Sequence, residues 1–337
     1  MSIEAKDIQS VLPFFNIDAD VLDIQFFISR VDEAASDMNF IIKVILADER
    51  ALVVKFIKQA RYPHALIEAQ SRFSEHLRSH GILTPRRYAC GGRYCLAHSV
   101  QGVCFDITVE DYLGEAIHAI DHDLAFSIGQ LMGKNHGIAE RGGLHINHHS
   151  LFGIVGYNEV MGYDEFLGFG NEGLIDDEWF RKICVACDKK LNRIKDVWDD
   201  LPRYATQGDY AIDNLTDTGD GLGLFDYNNA GDEVLVSDMI LEGLYTAREM
   251  DLADGLTDAD RPGLFAAFAN GYLTQRQFSE AEQSVFSDIC AMAKGLWFTR
   301  ILYRDDSLEA LLKRQDRAGT SALLQAIYDD VASEATI

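Results

Sequence analysis

The chain reads as an α+β protein, a small antiparallel-sheet lobe with one helix followed by a larger, mainly helical lobe. Three observations predict this. Short β-branched runs separated by polar turns occupy residues 21–112, broken by one stretch of helical spacing. Beyond Leu113 the apolar residues recur every three or four positions over longer segments. Between two of those segments, residues 204–236 are rich in Asp, Asn and Gly and poor in helix formers, which is the composition of loops.

Taken in order, strand-like runs cover 21–28, 40–46, 51–57, 87–90, 95–100 and 105–109, each short enough for an antiparallel strand. The helical stretch among them is expected over about 64–80. No repeat or long linker intervenes, so the two parts should join directly near 109–113, as a first domain over 1–112 and a second over 113–337. In the second, residues 177–198 put Phe180, Ile183, Cys184, Cys187, Leu191, Ile194 and Trp198 on one helix face. Ser279 followed by Glu282 forms a capping box, opening a helix that carries Phe286, Ile289, Ala293, Leu296 and Trp297.

A chain of 337 residues, 47% apolar and 25% charged, is long enough to bury a full core. Its formal net charge of −24 repels phosphate backbones and anionic bilayers, so neither nucleic acid nor a membrane is an expected partner, and a cationic substrate would suit the field. The first residues lack a basic start before an apolar run, and no apolar stretch reaches the roughly 18 residues of a membrane span, which points to the cytoplasm. Six scattered cysteines do not form the dense framework of a secreted domain. Cys184 and Cys187 lie on an apolar helix face without a second such pair and read as core. The group His145, His148 and His149 lacks an obvious carboxylate partner, and His136 reads as a structural histidine.

The chemistry is concentrated in QGDYAIDNL at 207–215 and GLGLFDYNNAG at 221–231. Asp209 and Asn214 are five apart, and Asp226 follows twelve residues later behind the apolar run of Leu222, Leu224 and Phe225. Phosphoryl transfer needs a carboxylate at the acceptor hydroxyl and oxygen ligands that hold magnesium on the nucleotide phosphates. Asp209 suits the first role, Asn214 and Asp226 the second. Asp213, Asp217, Asp220, Asp232, Asn228 and Asn229 read as turn residues or solvated groups.

These two loops resemble the HGDxxxxN loop and the following aspartate loop of the aminoglycoside phosphotransferase and choline kinase-like family. ALVVKFIK resembles the third strand of that family's small lobe, which implies that Lys55 contacts the α- and β-phosphates. IEAQSRFSEHLRSHGILTP resembles its helix and implies that Glu68 pairs with Lys55, with Glu75 as the alternative. ITVEDYLGE resembles the strand and hinge that meet adenine through backbone groups, here around Glu110, Asp111 and Tyr112. The phosphate-covering loop would lie at 31–40, with Ser36 allowing close approach and Asn39 fixing the turn. LMGKNHGIAE and FANGYLTQRQFSEAE resemble parts of the larger lobe, so the similarity covers nearly the whole chain, and Asp238 resembles the structural aspartate behind the catalytic loop. The resemblance implies a two-lobed protein-kinase-like fold holding ATP or GTP with Mg2+ in the cleft between the lobes. It also implies a small hydroxylated metabolite or aminoglycoside-like acceptor, with Asp209 as base. Two positions depart from the pattern: Gln207 replaces the family's His, and the 31–40 loop has no glycine. Both would also suit the alternative, a kinase-like nucleotide- or partner-binding module with little or no turnover.

Overall fold

The computed structural model describes residues 1–31, 37–59, 61–150, 153–156 and 158–334. In chain order come helix α1 (Ala5–Val11), strands β1 (Val21–Val31), β2 (Met38–Leu46) and β3 (Ala51–Lys58), helix α2 (His64–Ser79), and strands β4 (Leu96–Val100) and β5 (Val103–Asp111). Helices α3 (His122–Gly142), α4 (Tyr163–Asn171) and α5 (Asp177–Val197) follow, then strands β6 (Arg203–Thr206), β7 (Leu215–Asp217), β8 (Leu222–Leu224) and β9 (Gly231–Val234). The chain ends in helices α6 (Leu235–Glu249), α7 (Arg261–Leu273), α8 (Glu280–Gly295), α9 (Phe298–Ile301), α10 (Leu308–Lys313) and α11 (Arg317–Ala332). These elements form two units, Met1–Ile117 with Asp213–Asn228, and His118–Ile212 with Asn229–Ile337. Among the described residues no helix is long and apolar enough to cross a membrane.

In the first unit an antiparallel sheet runs in the order β1-β2-β3-β5-β4. Alternation sets its two faces. Phe40, Ile42, Val44 and Leu46 of β2, Val54 and Phe56 of β3 and Phe105, Ile107 and Val109 of β5 share one core with Ile8, Val11, Leu12 and Phe15 from α1 and the turn after it. The opposite face carries Lys55, which pairs in register with Thr108, while Asp106 and Glu110 stand opposite Ile57 and Val53. All four polar residues on that face are buried, so each needs a partner within the protein. The expected strand at 87–90 does not form. Arg87 bridges Glu110 and Cys90 bridges Arg93 singly, because Gly91 and Gly92 at φ +57° and +81° turn the chain back at once.

In the second unit α3 and α7 pack closely because both carry glycine at the contact. A Cβ at Gly129 would strike the Phe268 carbonyl, and one at Gly271 the Phe126 carbonyl. Helix α5 buries Ile183, Cys187 and Ile194 as its spacing predicts, and also Lys190, whose ammonium meets Asp288 of α8 at 3.0 Å and the Ser333 carbonyl at 2.9 Å. Ser279 and Glu282 form the expected capping box on α8. Helix α6 is buried along most of its length, which places Asp238 and Glu242 in the interior.

Candidate active site

Strand β3 holds Lys55 almost out of solvent, with the ammonium 3.2 Å from Asp226 Oδ1 and 3.5 Å from Glu110 Oε1. Arg87 approaches the other Glu110 oxygen at 3.0 Å, giving two cations and two carboxylates in one group, buried except at Asp226, whose side chain is 29% exposed. Burial disfavours the charged lysine, but Asp226 and Glu110 outweigh it and raise the Lys55 pKa. Burial likewise pushes Asp226 up, and Lys55 more than reverses this, leaving its carboxyl below the usual range.

Asp226 follows β8 at φ +54°, a left-handed conformation, and its Oδ1 accepts the Asn228 N–H at 3.2 Å. That local turn makes the backbone tolerable for a non-glycine residue. The β7–β8 hairpin brings the Asn214 carbonyl to the Phe225 N–H at 2.9 Å, beside Asp226. Gln70 of α2 donates to the Asn228 carbonyl at 2.7 Å and ties the same loop to the helix.

In the second unit Gln207 is fully buried and its Oε1 accepts the Asp209 N–H at 2.8 Å, so an amide here supports the loop backbone. Gly208 sits at φ +77°, and a Cβ there would lie 2.6 Å from the Asn229 carbonyl. Asn229 also donates to Asp209 Oδ2 at 3.0 Å, orienting the carboxylate. Behind the loop, Glu242 accepts the Tyr210 N–H through both oxygens, at 3.2 and 3.1 Å, and Asp238 meets His136 Nε2 at 3.0 Å. Burial pushes Asp238 up to about 8 and His136 down to about 3.

Several expectations change. Glu68 does not reach Lys55. Its Oε1 accepts the Cys95 N–H at 2.7 Å, because α2 turns this residue toward the start of β4, and Glu110 from β5 supplies the carboxylate. Glu75 binds Arg78 and the Arg87 N–H. Glu110 therefore enters the site through its side chain. The N–H groups of Asp111 and Tyr112 are already engaged by Arg86 and Ala51 carbonyls. Asn39 lies within β2, opposite Ile57, where the ladder continues past the expected turn; its Oδ1 is buried without a hydrogen-bond partner among the described residues. Ser36 lies outside the described residues. Asn229 and Asp232, read as turn or solvated groups, hold Asp209 and the N–H groups of Ile146 and Asn147, respectively. Arg87, Glu110 and Gln70 were not singled out as side-chain partners, and only the Val-Glu-Asp end of β5 hinted at one of them.

No protein-family model and no curated protein sequence matches the chain. Solved structures do. An amicoumacin kinase in complex with AMP-PNP, Ca2+ and Ami is similar over 92% of this chain and 87% of its own, with a TM-score of 0.57 and 12% identity. A microcompartment-associated aminopropanol kinase is similar over 98% and 95%, with a TM-score of 0.56 and 12% identity. A spectinomycin phosphotransferase in complex with ADP and spectinomycin is similar over 99% of both chains, with a TM-score of 0.53 and 12% identity. At such identity the likeness speaks for the fold, and it agrees with the antiparallel sheet and helical remainder described above: the chain has the two-lobed, protein-kinase-like fold of the aminoglycoside phosphotransferase-like kinases.

Proposed function

We propose that the protein is a phosphotransferase that moves the γ-phosphoryl group of ATP or GTP, with Mg2+, onto a hydroxyl of a small acceptor. The observation that carries this reading is the contact of buried Lys55 with half-buried Asp226, 171 residues apart in the chain. Burying a lysine against carboxylates adds little stability over an apolar side chain of the same size, so Lys55 here suits a site better than a core. The nucleotides and divalent cation named for the amicoumacin kinase and spectinomycin phosphotransferase structures support a nucleotide and a cation in this chain. A cytoplasmic location, with its supply of both, suits the same reading.

In this reading Lys55 exchanges Asp226 for the phosphates, and Glu110 keeps its ammonium in place. Asp226 and Asn214 offer one carboxylate and one amide oxygen, a hard-oxygen set that fits Mg2+. Bound there, the cation would neutralise charge gathering on the phosphates. Asp209, oriented by Asn229, accepts the acceptor's hydroxyl proton. The acceptor is a small hydroxylated metabolite or aminoglycoside-like molecule, and an amine on it would suit the acidic chain.

The test begins with melting temperature in ATP and in GTP, each with and without magnesium. A nucleotide at about 100 times its Kd adds about 2.7 kcal/mol, a shift of several degrees. Asp226→Ala is expected to abolish the magnesium-dependent part. Asp209→Asn is expected to keep the shift while ADP release with hydroxylated amines falls by about two orders of magnitude or more. Absence of any shift with either nucleotide would overturn the reading, and full turnover in Asp209→Asn would remove Asp209 as the base.

A further inference from the structure

Three side chains with metal-ligand chemistry meet in the first unit, beside the group around Lys55, with a fourth, Glu68, next to them. His64 opens α2, Cys95 directly precedes β4, and Asp106 lies in β5. One ligand atom from each of these three falls within 4.8 Å of the others. Strand register explains the meeting: Ala97 pairs with Asp106, so Cys95, two residues before Ala97, faces the same side of the sheet as Asp106. Glu68, one helical turn after His64, holds the Cys95 N–H through Oε1.

The polar groups of this cluster are incompletely satisfied. His64 Nδ1 lies 3.2 Å from Asp106 Oδ1, but its Nε2 is buried with no hydrogen-bond partner among the described residues. Glu68 Oε2 is also buried without one, 3.6 Å from Arg72. Cys95 and Asp106 are 3% and 2% exposed, whereas about a third of the His64 side chain reaches solvent and gives a route of entry. Two carboxylates, a thiol and an imidazole gathered with so little water are costly unless a cation joins them.

We propose that His64, Cys95 and Asp106, with Glu68 as fourth donor, form a binding site for a divalent transition metal, Zn2+ by its ligand chemistry. A mixed nitrogen, sulfur and oxygen set suits Zn2+, which Glu68 would complete to four donors, whereas Mg2+ and Ca2+ avoid thiolate. An ordinary cysteine thiol carries its proton at neutral pH in the absence of metal. Binding replaces that proton: the S–H bond breaks, a sulfur–metal bond forms, and one proton leaves to solvent, so affinity rises with pH. The neutral imidazole keeps its single N–H on the nitrogen that does not bind. The metal would pin α2 to β4 and β5, and α2 is the helix whose Gln70 holds the Asp226 loop. The site also accounts for Glu68 facing away from Lys55. None of this depends on phosphotransfer.

The test uses full-length protein without a histidine tag, stripped with a chelator and titrated with Zn2+ against a competing chromophoric chelator. The expected result is one Zn2+ per chain, a raised melting temperature, and release of about one proton. Binding should weaken by about 100-fold or more in His64→Gln and in Cys95→Ser, and stay unchanged in Cys104→Ser, which alters an exposed cysteine. Loaded with Co2+, the wild type should show a thiolate-to-metal absorption band that Cys95→Ser lacks. His64 sits at the rim, so His64→Gln decides the matter if the buried cysteine variant fails to fold. Substoichiometric zinc in the wild type, or undiminished affinity in His64→Gln, would overturn the proposal.

Discussion

A lysine as buried as Lys55 keeps its charge only where carboxylates surround it, and Asp226 and Glu110 do so. Removing Glu110 leaves Lys55 and Arg87 with a single carboxylate between them. Glu110→Gln is therefore expected to destabilise the protein by about 3 kcal/mol or more. Measured on chelator-stripped protein, Glu68→Gln, which retains an oxygen for the Cys95 N–H, should cost about 1 kcal/mol or less. Urea unfolding measures both, and equal losses would contradict the pairing. Gly208→Ala forces a Cβ against the Asn229 carbonyl at a positive φ, next to Asp209. Turnover is expected to fall at least about tenfold while the nucleotide-induced melting shift remains; an active variant would show that the loop tolerates the strain. Spacing singles out Lys55, Asp209, Asn214 and Asp226, but it does not say which carboxylate meets the lysine. That depends on which strand neighbour shares its face, and Glu110 emerges only once β5 is placed beside β3.

At the scale of elements, legibility followed burial pattern. Strand β2 alternates between buried and half-buried residues along its whole length, so its period is visible in the text. The 87–90 run, Arg-Tyr-Ala-Cys, makes single bridges, since two glycines reverse the chain behind it. Helix α5 was recognisable from its apolar stripe, yet Lys190 occupies that stripe too, because Asp288 on a distant helix receives it. The α3–α7 contact rests on glycines whose role appears only when two backbones touch. Helix α2 was placed well and its partners were not. Its Gln70, buried and bonded to the Asn228 carbonyl, fixes the segment that carries Asp226. Gln70→Ala is expected to cost about 1–2 kcal/mol. It should also speed amide exchange over 226–228 beyond the change elsewhere in the unit; unchanged protection there would show that the hydrogen bond does not restrain the loop.

Across the whole molecule, half-buried Asp226 of the first unit and the buried carboxylates of the second respond to pH in opposite ways. In the first, Asp226 is depressed and Lys55 raised, so their contribution is complete at neutral pH, lost in acid as Asp226 protonates and lost in strong base as Lys55 deprotonates. In the second, burial pushes Glu233 up to about 7 and Asp238 up to about 8, and raises Glu242 well above the usual range. Groups raised on folding bind more protons folded than unfolded. Their contribution is full below the unfolded carboxylate range and declines as pH rises through the folded values. For Glu233, 3% exposed, the loss amounts to roughly 3 kcal/mol and is complete a little above pH about 7. Amides of β9 and α6 are thus expected to lose protection between about pH 5 and about pH 8, after correction for intrinsic exchange, while those of β3 keep theirs. Repulsion from the net charge of −24 also grows over this range, so the discriminating comparison is with Glu233→Gln, which keeps an oxygen for the Val234 N–H but cannot ionise. Its melting temperature should fall less steeply with pH than that of the wild type. Parallel curves would mean that Glu233 ionises in the folded protein as readily as in the unfolded chain.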